Sequence, residues 1–202
     1  MALFPAFLKM AGRRCLVVGA GLVAEEKIEG LLHTDAKITV VAPDATARVQ
    51  SLARARKIRW QRRTFRPADL SGTFVVIAAT SSPKLHAEIF RRARRLGVLC
   101  NSVDDPENCD FYYGSVVRRG ELQIAISTAG HSPALAQRLR KKFEKQIGAE
   151  YERFVTTLGA ARKRLFAKSL SPARRKALLH ELASEISFRK FQQKHSASKK
   201  RS

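Results

Sequence analysis

The run Cys15–Lys27 (CLVVGAGLVAEEK) joins an apolar stretch to an amphipathic one through two glycines. Gly19 supplies a residue without a Cβ where a strand must bend sharply into a helix. Gly21 would let the backbone approach a bulky ligand, and Ala24 takes the third, small position of a G-x-G-x-x-A pattern. The amides that open such a helix point at an anion, most often a dinucleotide pyrophosphate. The pattern indicates a dinucleotide-binding turn if a strand precedes it and a helix follows.

A second segment whose side chains could take part in chemistry is Asn101–Phe111 (NSVDDPENCDF). It holds four carboxylates in a chain with only 17 acidic residues. Asp104 follows an apolar run directly and is the best placed of the four to face a nicotinamide ring. A carboxylate there could accept a proton as a hydride leaves a substrate. Because Asp-Pro is also a common turn, each of these acids could instead serve the turn alone.

Two further loops could contact a cofactor. The small residues around Thr80 leave room for a cofactor to lie against the backbone, although an ordinary helix cap is the alternative. After the second apolar run come Pro43 and Asp44, and Asp44 is the nearest acid for an adenosine ribose. Arg48 could favour a 2′-phosphate, so the spacing alone leaves the choice between NAD and NADP open.

The segment Ser127–Ala134 (STAGHSPA) could bind an anion. Ser132 can cap the following helix, with Pro133 at its first position, and the exposed amides and hydroxyls could hold a substrate carboxylate. A capped helix with nothing bound is the alternative. His131 alone predicts no metal site, because a cation requires three or four ligands, and it is interpreted as polar surface or a substrate contact.

The elements that must position these residues alternate between strand and helix through the first hundred residues. Apolar runs predict strands at Leu16–Val18, Lys37–Ala42, Ile58–Gln61, Phe74–Ala79 and Val98–Cys100, with amphipathic helices between them. This alternation predicts an α/β fold, a doubly wound parallel sheet with right-handed crossovers. It places the glycine turn after the first strand, where a dinucleotide-binding fold needs it.

The alternation of strands and helices ends after Asn101. A hairpin is predicted from Tyr113–Val117 and Leu122–Ile126, followed by helices at Ala134–Ile147, Glu150–Phe166 and Pro172–Ser187. The predicted organisation is a nucleotide-binding domain over residues 1–112, a hairpin-helix segment over 113–147, a helical domain over 148–190 and a basic, disordered tail over 191–202. The second part is too small to close a large core alone, so pairing of 113–147 with a second copy, a homodimer, is expected.

The chain carries a formal net charge of +22, and residues 138–202 hold 19 basic and 5 acidic side chains. Such a field attracts polyanions, meaning nucleic acid, anionic lipid or a small molecule with many carboxylates, unless it is only solvated surface. A nucleotide-sensing regulator that binds nucleic acid is the second hypothesis, but no helix-turn-helix, zinc finger or base-stacking aromatic cluster supports it.

Other compositional features bound the cellular setting. No apolar run is long enough to span a membrane, and the start of the chain (MALFP) does not resemble a leader, so a cytosolic location is expected. Three cysteines without C-x-x-C spacing favour reduced thiols, with Cys15 and Cys100 buried and inert.

Four segments together resemble the precorrin-2 dehydrogenases, the oxidoreductases of siroheme synthesis, over about residues 1–165: LVVGAGLVAEEK at 16–27, VIAAT at 76–80, CNSVDDP at 100–106 and ISTAGHSPAL at 126–135. The resemblance implies a Rossmann domain, a dimerisation segment and a helical C-terminal part, with NAD as oxidant. It implies that precorrin-2 is oxidised to sirohydrochlorin. Some members also insert ferrous iron into that product. Larger members carry a methyltransferase domain after this unit, and methylation is not expected of this chain.

The resemblance also implies residue roles. Nucleotide contacts fall on Leu22 and Val23 in the glycine turn and on Pro43 and Asp44. The essential acid falls on Asp104, and the hydroxyl of the turn before the basic helix falls on Thr128. If iron is inserted, Asp104 could collect the pyrrole protons and Cys109 or His131 could meet the metal.

Overall fold

The computed structural model describes residues 3–199 of the chain, and the side chains of residues 3–194. The chain divides into two compact units between Tyr112 and Tyr113. Among the described residues, none of the helices combines the length and the apolar character that crossing a bilayer demands.

The first unit is a five-stranded parallel sheet with the strand order β3-β2-β1-β4-β5. Its strands are β1 (Arg14–Val18), β2 (Lys37–Val41), β3 (Arg59–Gln61), β4 (Val75–Ala78) and β5 (Leu99–Ser102). Its helices are α1 (Leu22–Leu32), α2 (Ala47–Arg54) and α3 (Pro83–Arg95). This order, with helices on both faces, is that of a Rossmann-like doubly wound sheet, so the predicted fold class is confirmed.

The uniformly apolar strands are explained by cover on both faces of the sheet. On one face, Val17 packs in a cluster with Ile28 of α1 and Val49 of α2. On the other face, Leu16 packs in a cluster with Ile89 of α3. Successive residues of β1 therefore enter opposite cores, which fixes the register of the central strand.

The outer edge of β5 is closed by the chain itself. Asn101 forms an antiparallel bridge with Cys109. The Asp110 amide donates to the Cys100 carbonyl at 2.8 Å, and the Asp110 carboxylate accepts from the Cys100 amide at 3.0 Å. These contacts satisfy backbone groups that an open edge would leave unpaired.

The second unit begins with an antiparallel hairpin of β6 (Ser115–Arg119) and β7 (Leu122–Ile126), in which Arg119 pairs with Leu122. Four helices follow: α4 (Pro133–Gln146), α5 (Glu150–Phe166), α6 (Pro172–Leu182) and α7 (Glu185–Lys199). The Arg119 guanidinium donates to the carbonyls of Glu144 and Ile147 at 2.9 and 2.8 Å. It thereby places a cation at the C-terminal end of α4, where the helix dipole favours one.

The predicted helix Pro172–Ser187 is confirmed over α6 but is interrupted at Ala183 and Ser184, and its last three residues belong to α7. Ser184 accepts the Ser187 amide through its hydroxyl at 3.3 Å and so caps α7. The break turns Phe188 into contact with Phe154 of α5, with ring centroids 4.9 Å apart.

The disorder predicted for residues 191–202 stays a prediction, and the described part of this segment, as far as Lys199, belongs to α7. Phe188 and Phe191 anchor α7 to Phe154, and a helix that is held by packing propagates further than its own composition predicts. Residues 200–202 lie outside the described residues.

Candidate functional site

The loops that could bind a ligand leave the carboxyl ends of β1, β2, β4 and β5. Because all strands of the sheet are parallel, these four ends lie on the same edge of the first unit. The order of the sheet reverses between β1 and β4, and open α/β sheets bind ligands at such a reversal. The glycine turn, Asp44, Thr80 and Asp104 are therefore brought to one edge.

Gly19 makes the bend from β1 to α1 with φ of +102°, a conformation that side chains rarely adopt. Its amide donates to the Val41 carbonyl at 3.0 Å. A Cβ at this position would lie 2.7 Å from the carbonyl carbon of Ala79 and closer still to its oxygen. The turn is therefore held between the ends of β2 and β4, and its shape requires glycine.

Gly21 is the N-cap residue of α1, and no side chain caps the helix. The space around its missing Cβ holds no other atom within 4 Å. By contrast, among the described residues hydroxyls cap five other helices, namely those of Thr46, Ser82, Ser132, Ser171 and Ser184. The first amides of α1, those of Leu22 and Val23, thus have no side-chain cap at the positive end of the helix dipole, and Ala24 is buried against the sheet.

Thr46 ties this turn to the loop after β2. Its hydroxyl donates to the Glu25 carboxylate at 2.6 Å and accepts the Val49 amide at 3.2 Å. Its own amide donates to the Ala20 carbonyl at 3.1 Å. The two loops that would hold the pyrophosphate and the adenosine ribose of a dinucleotide are therefore linked by one side chain.

Pro43 and Asp44 lie exposed after β2, beside an arginine that sequence reasoning missed. Arg62 follows β3, and its guanidinium lies 3.6 Å from the Asp44 carboxylate and donates to the Pro43 carbonyl at 3.3 Å. Arg48, the expected contact for a 2′-phosphate, donates instead to Glu29 at 2.6 Å, a hydrogen bond that raises the pKa of Arg48. Since β3 is the neighbour of β2, the strand order could have indicated Arg62.

The loop after β4 carries Thr80 and meets a buried histidine. The Thr80 hydroxyl accepts the Ser82 amide at 3.3 Å, and the Ser82 hydroxyl caps α3 by accepting the Leu85 amide. The Thr80 amide donates to Nε2 of His86 at 3.3 Å. His86 was not singled out in the sequence, because its position in an amphipathic helix indicates only that it faces inward.

Asp104 lies exposed in the loop after β5, with φ of +60°. The remaining carboxylates of the loop differ from it. Asp105 is partly buried and accepts from the Asn108 amide group at 2.7 Å, and Asp110 serves the β5 edge. Glu107 is exposed on the same turn. Asp104 is thus presented by a left-handed backbone at the end of β5, free to meet a ligand.

The thiols of this unit are poor nucleophiles. Burial raises the pKa of Cys15 to about 11 and that of Cys100 to about 12, so both are protonated at neutral pH, and their predicted burial is confirmed. Burial also raises the pKa of Cys109, whose thiol donates to the Ser102 carbonyl at 3.1 Å. Among the described residues, no three His, Cys, Asp or Glu side chains are grouped to hold a metal ion.

Thr128, His131 and Ser132 belong to the second unit, in the turn between β7 and α4. The Thr128 hydroxyl accepts the Ser132 amide at 3.1 Å, and the Ser132 hydroxyl accepts the Leu135 amide at 3.2 Å and so caps α4. His131 is exposed and donates its amide to the Thr128 carbonyl. Both hydroxyls keep their own hydrogens for donation, which suits an anionic partner.

Comparison with known proteins adds to this geometry. The family model described as "Putative NAD(P)-binding" matches residues 6–115, more than half of the chain. The model described as "Sirohaem biosynthesis protein central" matches residues 119–146. Among solved structures, "SirC, precorrin-2 dehydrogenase" is similar with a TM-score of 0.73 and 26% identity, over 95% of this chain and 98% of that one.

Curated relatives are longer proteins. Siroheme synthase 1 of Aeromonas salmonicida is 34% identical over 184 residues, which is 91% of this chain and 39% of that protein. The siroheme synthase of Neisseria meningitidis serogroup C is 40% identical over 144 residues, which is 71% of this chain and 30% of that protein. The chain spans less than two fifths of the length of these relatives.

Proposed function

The chain belongs to the family of siroheme synthases and precorrin-2 dehydrogenases, and from that premise we propose that it oxidises precorrin-2 to sirohydrochlorin with NAD as the oxidant. The observation that carries the proposal is the similarity to SirC, which covers nearly the whole of both chains. We also propose that the protein is cytosolic. We propose that it forms a homodimer through residues 113–147, because a two-stranded hairpin is marginally stable without further cover.

The glycine turn fits a dinucleotide. An anion at the start of α1 would meet uncapped amides and the positive end of the helix dipole. Gly21 leaves open the space that a Cβ would fill, so a pyrophosphate could approach the backbone. We assign the cofactor to the glycine turn (Gly19–Ala24), Pro43, Asp44 and Thr80. Bound NAD would supply the hydride acceptor.

The carboxylate of Asp44 favours NAD over NADP, since it would bond ribose hydroxyls and repel a 2′-phosphate. Arg62 lies 3.6 Å from this carboxylate and would hold such a phosphate if Asp44 were neutral. We expect Asp44→Ser to shift the ratio of kcat/KM values for NADP and NAD toward NADP by about tenfold or more. The measurement is initial rates with each cofactor.

The double variant Asp44→Ser with Arg62→Ser is the matched control for this shift. It should use NADP no better than the wild type, because the cation that holds the phosphate is gone. A double variant that keeps the gain would contradict the part given to Arg62. A wild type that prefers NADP would contradict the assignment of NAD.

We propose Asp104 as the base of the oxidation. Converting precorrin-2 to sirohydrochlorin removes two electrons and two hydrogens, one as a hydride and one as a proton. The exposed carboxylate at the end of β5 could accept the proton, while the hydride leaves the substrate in the opposite direction. Proximity of the carboxylate to the reacting carbon, which the loop geometry would set, matters as much as its basicity.

We propose that Thr128, His131 and Ser132 bind carboxylates of the substrate. The turn offers two hydroxyl hydrogens beside the N-terminus of α4. A polycarboxylate substrate also agrees with the net charge of +22.

The test is to incubate the purified protein with NAD and freshly prepared precorrin-2 and to follow the visible absorbance of sirohydrochlorin together with that of NADH. We expect one NADH for each sirohydrochlorin, and no NADH without the protein. Failure to form NADH when calorimetry shows bound NAD would contradict the dehydrogenase function.

Ferrous iron insertion is a second activity that the family implies for some members. The described residues form no metal cluster, so an iron ion would be bound by the pyrrole nitrogens of the substrate and not by a preformed protein site. Adding Fe²⁺ to sirohydrochlorin with and without the protein separates enzymatic insertion from the spontaneous reaction.

A further inference from the structure

His86 is a buried histidine on α3 whose two ring nitrogens face two different loops. Its relative exposure is 5%, and it is one of few polar residues in the core of the first unit. A buried imidazole normally has partners for both nitrogens, because an unpaired buried polar atom is costly. Those partners come from the loops after β4 and β5, the two loops to which Thr80 and Asp104 belong.

The first contact fixes the tautomer of the ring. Nε2 of His86 accepts the Thr80 amide at 3.3 Å, so Nε2 carries no hydrogen, and in the neutral ring Nδ1 is then the donor. The same amide belongs to the loop that packs against Gly19, since Ala79 lies beside that glycine. Nε2 therefore holds the backbone of the loop after β4, which carries Thr80 and is called the cofactor loop below.

The second contact joins the ring to the loop of Asp104. Nδ1 of His86 lies 4.0 Å from Oδ2 of Asp105. This distance gives electrostatic attraction without a hydrogen bond, and a movement of about 1 Å would form one. Contacts of this kind are often long in the free enzyme and shorten when ligands bind.

Asp105 is firmly connected to its surroundings. Its carboxylate accepts from Asn108 at 2.7 Å, its amide donates to the Ser102 carbonyl at 3.2 Å, and its carbonyl lies 3.3 Å from the Cys109 sulfur. Asp104 precedes it in a left-handed conformation with φ of +60°. Because the two residues share a peptide bond, a movement of Asp105 would also move the backbone of Asp104.

We propose that His86 is a positioning residue that couples the cofactor loop to the loop of the proton-accepting acid, with Nε2 holding Thr80 and Nδ1 steering Asp105 and, through it, Asp104. The inference rests on the proposed dehydrogenase function and extends it to a residue that touches neither ligand. It assigns one nitrogen to cofactor affinity and the other to turnover.

Two substitutions separate the nitrogens. In His86→Asn, the side-chain amide keeps a donor near the position of Nδ1 and lacks an acceptor at Nε2. In His86→Gln, the longer side chain places its carbonyl oxygen near Nε2 and lacks the group that faces Asp105. Both residues are smaller than or similar to histidine, so neither overfills the core.

We expect His86→Asn to raise the Kd for NAD by about tenfold and to leave kcat at saturating NAD within about threefold of the wild type. We expect His86→Gln to keep the Kd for NAD within about threefold and to lower kcat by about tenfold or more. Calorimetry gives the Kd, and NADH formation gives kcat. A histidine that only fills the core would give two variants with the same changes in both quantities.

His180, exposed on α6, provides the control, and its Asn and Gln variants should match the wild type in both measurements. Thermal melting of each variant shows whether it is folded at the assay temperature. Parallel losses of affinity and turnover in the two His86 variants would overturn the inference. If the wild type binds NAD but forms no NADH, the proposed function fails, and the two Kd values alone then support the role of Nε2 if they differ and overturn it if they agree.

Discussion

Asp104→Asn is expected to lower kcat for precorrin-2 oxidation by about 10²–10⁴-fold, the range that loss of a general base usually costs. The Kd for NAD should remain within about twofold of the wild-type value, because Asp104 lies in the loop after β5 and not in the glycine turn. Steady-state NADH formation at saturating substrate measures the first quantity and calorimetry the second. Asparagine is the right replacement because it removes the basic oxygen with little change of shape.

Asparagine also preserves the backbone. Asp104 adopts φ of +60°, and asparagine tolerates that region better than alanine does. Glu107→Gln is the matched control, since it removes an exposed carboxylate from the same loop and should leave kcat unchanged. An Asp104→Asn variant with wild-type turnover would show that the proton leaves by another route. Equal losses in the two variants would indicate that the charge of the loop, and not one base, is required.

The first unit could be predicted closely because its pattern is dictated by burial. Strands such as β4 are apolar at every position, and only cover on both faces of a parallel sheet accounts for that composition. Once the strands alternate with helices, right-handed crossovers leave few arrangements. The predicted strand at Val98–Cys100 begins one residue early and ends two early because Asn101 and Ser102 are polar, yet both are buried in β5.

The second unit was predicted less well because its helices depend on contacts between distant residues. Pro172–Ser187 reads as one helix, with no glycine or proline in its interior. The structure interrupts it because the Phe188 ring packs against Tyr151 and Phe154, and Ser184 can cap a new helix there. The sequence contains a signal for this cap, a serine before a glutamate. The aromatic contacts that favour the cap join residues far apart in the chain, so local sequence patterns do not show them.

The candidate site shows the same division. Gly19, Asp44, Thr80 and Asp104 could be selected from sequence because the ends of parallel strands share one edge, whatever the details of the loops. Arg62 requires in addition the strand order, which sets β3 beside β2 and brings this arginine to Asp44. His86 could not be selected, since its meaning comes from Asp105, a neighbour distant in the chain. Ligand loops are predicted by topology, and the residues that hold them are found only from packing.

Gly19→Ala is expected to destabilise the protein by about 3–5 kcal/mol and to abolish NAD binding in the calorimetric range. Two costs add at this position. A residue with a Cβ at φ of +102° is strained, by about 1–3 kcal/mol, and the Cβ would also overlap the Ala79 carbonyl, which is backbone and cannot rotate away. Relief requires that the ends of β1 and β4 separate, which would displace Thr80 from its proposed contact with the cofactor.

Two other glycines divide these costs and make the prediction specific. Gly97 has φ of +66° and no atom within 4 Å of its missing Cβ, so Gly97→Ala tests the strain alone and should cost about 1–2 kcal/mol. Gly21 has neither the positive φ nor a neighbour, so Gly21→Ala should keep the melting temperature and lose NAD affinity, since the added methyl group occupies the space left for the pyrophosphate. Thermal melting and NAD calorimetry on the three variants give the comparison. If Gly21→Ala binds NAD like the wild type while Gly19→Ala does not, the glycine turn serves the fold of the sheet and the pyrophosphate must bind elsewhere.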